Sequence, residues 1–166
     1  MSWSLFKTQC NVLTGNPHVT TQLFASTIAN AYHTCMSLHF DSMTGGGVLT
    51  NNAPKLPILE QSILQYCELN RQSAADVDLL QQLGPSFILY HTGGIIVGPT
   101  GITTITSGGT WSNVKTPPNT NFQIILTNLE MACRTHLMTL VGTYVSTIVQ
   151  PFPPVPWSGA LFQSMP

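Results

Sequence analysis

Apolar residues recur at intervals of three and four along several stretches of this chain, and one of those stretches is long. Between Asn121 and Val149 the residues Phe122, Leu126, Leu129, Cys133, Leu137, Leu140, Tyr144 and Ile148 form one stripe, widened by Ile125, His136 and Val141. That is the period of a single helix face. Pro117 and Pro118 bar a helix before it, Thr120 or Asn121 is available to cap its first turn, and Pro151, Pro153 and Pro154 stop it. The pattern predicts one helix over 121–149, about 40 Å long at about 1.5 Å per residue. Asn128, Glu130, Arg134 and His136 interrupt what would have to be a run of about 20 apolar residues, so the stretch is not read as a membrane span.

The remaining elements follow in order. Trp3, Leu5 and Phe6 precede a Gly15-Asn16-Pro17 turn and read as a hydrophobic plug. Leu23, Phe24, Ile28, Ala31, Tyr32, Cys35 and Leu38 predict a second helix within Val19–Phe40, capped by Thr20 or Thr21 and antiparallel to the long one. Asp41 to Asn52, with Gly45, Gly46 and Gly47, reads as a loop. Leu56, Leu59, Ile63, Tyr66 and Cys67 mark a helix from Pro57 to Asn70, and Ser73-Ala-Ala-Asp76 resembles a capping box opening a short helix stopped by Gly84-Pro85. Phe87 to Tyr90 is too short for periodicity to separate a helical turn from a buried strand. The β-branched runs Ile95–Val97 and Ile102–Thr106, joined by Gly98-Pro99-Thr100-Gly101, predict a hairpin flap. Residues 150–166, QPFPPVPWSGALFQSMP, read as an extended arm because proline fixes φ and removes donors.

The expected fold is therefore mainly α: a four-helix bundle-like core over 1–149 with a long last helix, a β flap at about 87–112, and an arm over 150–166. On a lone chain the arm folds back over the long helix; in an assembly it lies in a neighbour's groove with Trp157 as anchor. The residues expected at a protein interface are Trp3, Phe6, Pro151, Phe152, Pro154, Pro156, Trp157 and Phe162.

Charge changes this picture most. Only 7% of residues are charged, with a formal net charge of −1, against about 25% charged in ordinary globular proteins. A surface of Thr, Ser, Asn, Gln and Gly offers little electrostatic resistance to self-association and suits a component held by neighbours. Lys7, Lys55, Arg71, Lys115 and Arg134 are scattered, so no sequence-specific nucleic-acid footprint is expected. The first residues carry no charged leader with an apolar core, which predicts neither signal peptide nor anchor. Cys10, Cys35, Cys67 and Cys133 contain no CxxC pair and read as reduced, buried thiols.

Candidate chemistry is sparse. Cys35 with His39 (i, i+4) and Cys133 with His136 (i, i+3) could each share a helix face, and antiparallel packing at matching height would make a Cys2His2 zinc site conceivable. Isolated Cys and His on apolar faces are more often core residues, and no cofactor is expected. Glu60, Glu68, Asp76 and Asp78 read as solvated helix positions, Glu130 with Arg134 reads as a surface i, i+4 pair, and Ser158 lacks the Gly-x-Ser-x-Gly context of a hydrolase. The six glycines between Gly93 and Gly109 are followed by no Gly-Lys-Ser/Thr, which disfavours a phosphate loop. No catalytic constellation is found, and a non-enzyme is expected.

Met1-Ser-Trp-Ser-Leu-Phe-Lys7, Ala31-Tyr32-His33, Ala132-Cys-Arg-Thr-His-Leu137, Val141-Gly-Thr-Tyr144 and Pro153-Pro-Val-Pro-Trp-Ser-Gly159 together resemble small virion structural proteins of tailed, especially contractile-tailed, bacteriophages. The resemblance implies a component of the neck, tail or baseplate, assembled in the host cytoplasm into a symmetric ring with copies of itself and other virion proteins. The low charge and the glycines at 45–47 depart from a typical member. The alternative is a small intracellular binding module with an apolar or metal-lined pocket near Cys133 and His136.

Overall fold

The computed structural model describes residues 2–50, 53–72, 78–112, 122–148 and 153–164. Five helices are present among them: α1 (Ser2–Cys10), α2 (Thr21–Ser37), α3 (Leu56–Gln72), α4 (Leu79–His91) and α5 (Phe122–Met138). Seven strands form two sheets. β1 (His39–Asp41) pairs with β7 (Phe162–Ser164), while β2 (Val48–Leu49), β3 (Ile95–Gly98), β4 (Gly101–Ser107), β5 (Val141–Ser146) and β6 (Val155–Ser158) form one antiparallel sheet in that order. The molecule is a mix of helices and antiparallel sheet rather than the mainly helical bundle that periodicity predicts.

The largest correction falls on the long helix. It ends at Met138, where the Thr139 hydroxyl and amide both donate to the His136 carbonyl, and the chain continues as β5. Thr139, Val141, Thr143, Val145 and Thr147 occupy alternate positions. That period of two, on β-branched residues, competes with the weaker three-and-four spacing and is decided by pairing with β4.

The extended arm is likewise corrected. Residues 155–158 pair with β5, from Val141↔Ser158 to Tyr144↔Val155, and Phe162–Ser164 pairs with β1. Proline is tolerated there because β6 is an edge strand. The hairpin Ile95–Ser107 forms with its Pro99-Thr100 turn, but as part of the central sheet and not as a flap.

Other boundaries shift for local reasons. Thr20 caps α2 by accepting from the Leu23 amide, and Asp78 caps α4 by accepting from Leu80; the suggested Ser73–Asp76 box lies outside the described residues. α4 runs through Gly84-Pro85 to His91 instead of stopping there. Pro85 cannot donate to the Gln81 carbonyl, and the preceding Leu80 carbonyl accepts the Trp111 indole N–H at 3.0 Å. Trp111 stacks on Phe87 at 5.1 Å and lies over Gly84, where a Cβ would come within 2.4 Å of its ring. The plug is a helix, α1, packed on α2 and α5. The sheet buries Leu49, Ile96, Ile105 and Trp157 in the same core that holds Phe6, Ile28, Tyr32, Leu83, Phe87 and Leu129.

Candidate assembly interface

The residues proposed as metal ligands are all enclosed. His39 is bonded through Nδ1 to the Cys35 carbonyl at 2.9 Å, and its ring sits between Trp3 and Phe162. His136 donates Nε2–H to the Gly108 carbonyl at 2.6 Å. Cys35 and Cys133 are fully buried free thiols. Burial pushes Cys10 and Cys35 up to about 12 and Cys67 to about 11, and drives Cys133 well above its ordinary value. A thiol ligates or attacks only as thiolate, so these side chains suit packing. Among the described residues no group of three or more His, Cys, Asp or Glu is placed to hold a metal ion.

One buried histidine was not singled out from sequence. His91, at the end of α4, shares a 2.7 Å hydrogen bond between Nε2 and the Tyr32 hydroxyl, and its ring lies 5.6 Å from that of His136. Burial lowers its pKa well below the ordinary value, reinforced by His136, Lys55 and His39. Burial also lowers His136, against its bond to Gly108, and His39, against its bond to Cys35. Nδ1 of both His91 and His136 is buried without a hydrogen-bond partner. The pair therefore favours neutral imidazoles within an aromatic core.

Of the six described residues among those expected at an interface, four are buried in this chain. Trp3, Phe6, Trp157 and Phe162 belong to the core. The Trp157 indole donates to Asp41 Oδ1 at 3.0 Å; the same carboxylate accepts from the Met43 amide at 3.1 Å and the Thr103 hydroxyl at 3.0 Å. Asp41 is fully buried, and these three donors satisfy it in place of a cation. Pro154 and Pro156 are exposed at the sheet edge. Pro151 and Phe152 lie outside the described residues.

The exposed surface that stands out is the outer face of the five-stranded sheet. Its register brings Val48 opposite Val97, Val97 opposite Ile102, and Ile102 opposite Val145, one row crossing four strands. These side chains remain 39%, 44%, 38% and 44% exposed. Beside them runs Ile95, Thr104, Thr143 and Pro156, also directly paired. No residue of β2 to β6 is charged. The signal was present in the alternation of Ile102, Thr104 and Thr106, but only strand pairing turns separate alternations into one surface.

Comparison of the chain with protein-family models, with curated proteins and with solved structures finds no match.

Proposed function

We propose that the chain is a non-catalytic structural subunit of a virus particle of the tailed-bacteriophage kind, working in the neck or tail as an adaptor, completion or closure component of a symmetric assembly. The observation that carries this reading is the uncharged outer face of the sheet, with Val48, Val97, Ile102 and Val145 in one exposed row. A contiguous apolar patch on a sheet marks a contact surface. Its paired strands give a platform, and a chain with so few charges has little repulsion to overcome when copies are brought together. The resemblance of the sequence to virion structural proteins supplies the setting, with the particle's own proteins as partners. The predicted role is mechanical: the helical layer braces the sheet, and the sheet presents the contact.

Gradient-purified intact particles, probed with an antibody against the chain, test this directly. The chain should band with the particles at a fixed copy number per particle. Its absence from them, with all of it in the soluble lysate, would overturn the reading.

A further inference from the structure

We infer that the outer face of the sheet docks against the same face of a second copy of this chain, in a two-fold sandwich of two five-stranded sheets. This rests on the reading of the chain as an assembly subunit and names what covers the surface.

Three observations select that occupant. Both edges of the sheet are poor templates for strand addition: β2 has two residues, and β6 carries Pro156 with Pro154 just before it. Short and proline-bearing edges are the usual protection against edge-to-edge pairing. The face between them carries no such protection, since no charge interrupts Val48, Thr50, Ile95, Val97, Ile102, Thr104, Val141, Thr143 or Val145. A charged partner would find nothing there to recognise, whereas an identical face meets no like charge. Opposed faces of Val, Ile and Thr are also what sandwich proteins bury when two sheets pack about 10 Å apart.

Size sets the strength. Five strands at about 4.8 Å spacing are about 24 Å wide, and an average run of four to five residues at about 3.3 Å each is about 15 Å long. With side-chain relief the pair covers on the order of 1,000 Å² in total, the lower limit for a specific interface. The dimer is therefore weak and concentration-dependent, formed where subunits are already crowded. β4 is the middle strand, so in a symmetric pair Ile102 and Thr104 lie nearest the two-fold axis and meet their counterparts.

The full chain in sedimentation equilibrium, from about 1 µM to 500 µM, should move from monomer to dimer mass. Ile102→Lys should weaken dimerisation at least about tenfold, with an unchanged unfolding midpoint; Thr104→Lys serves if that variant does not fold. Thr104→Cys should form an intermolecular disulfide under mild oxidation, the native thiols being buried, while Thr135→Cys on the exposed side of α5 should not. A monomer at every concentration, or dimerisation unaffected by both lysines, overturns the inference. If the chain bands with particles yet Thr104→Cys cross-links there only to a different protein, self-docking fails and the assembly reading stands.

Discussion

Asp41 is a buried carboxylate held by three neutral donors from the loop after β1, from β4 and from β6. Asp41→Ala would leave the Trp157 indole and the Thr103 hydroxyl without acceptors, and unpaired buried donors cost about 1–3 kcal/mol each. A loss of about 3 kcal/mol or more in urea unfolding is expected; a loss below about 1 kcal/mol would show that the cluster is not a junction. Glu130 gives a second case. Its carboxylate lies 2.7 Å from Lys7 Nζ and 2.6 Å from an Arg134 nitrogen, and Arg134 is 5.4 Å from the Trp3 ring centre. The spacing of Glu130 and Arg134 was legible in the sequence. The burial of Glu130 was not, because its second partner arrives from α1, far away in sequence. Both cations are substantially exposed and can return to water, so Glu130→Gln should cost only about 1 kcal/mol, and less in 1 M salt.

Helices with strong three-and-four spacing were legible at the scale of elements: α2 and α3 lie within three residues of their expected ends. What misled was punctuation. Gly84-Pro85 reads as a stop yet sits inside α4, because Trp111, distant in sequence, uses the space above Gly84. No proline or glycine separates Met138 from Val141, yet helix gives way to strand there. Gly84→Ala tests the first point: the added Cβ must displace the Trp111 ring, so unfolding should show a loss of about 1–3 kcal/mol and tryptophan fluorescence should shift. Gly159 tests the closure of the sheet, since a Cβ there would lie 1.8 Å from the Leu137 carbonyl oxygen. Gly159→Ala should raise hydrogen exchange of β6 and β7 well before it affects α2 or α3; uniform exchange across all elements would contradict that placement.

On the scale of the whole molecule, the proline-rich end could not be told from a free arm, because proline content argues for extended chain and says nothing of what that chain pairs with. The consequence is practical. Deleting residues 150–166 removes an edge strand and the Trp157 core contact, so loss of incorporation in such a truncation would report failed folding, whereas a charge at Ile102 leaves the core intact. Acid should weaken the fold globally. His39, His91 and His136 have folded pKa values lowered by burial, so between the unfolded value near 6.5 and their folded values the unfolded chain binds more protons. Their contribution is complete above about pH 6.5 and falls as pH drops, by up to about 1.4 kcal/mol per pH unit for each histidine. The midpoint of thermal unfolding should be flat from pH 7 to 8 and fall from pH 6.5 to 5; a flat profile throughout would mean that these imidazoles reach water in the folded state.

The bond between Asp41 and Trp157 joins residues 116 apart, and β1 waits for β7 across a similar span. Connections of that length make folding slow, since a large loop must close before any contact rewards it. On a ribosome, α1, α2 and α3 emerge long before the strands that seal the other layer. The edge of the large sheet next to β5 stays open until β6 is made, and Asp41 keeps its water until then. Under the assembly role proposed above, the time needed to finish one chain, rather than any switch, would set when its outer face becomes competent to pair.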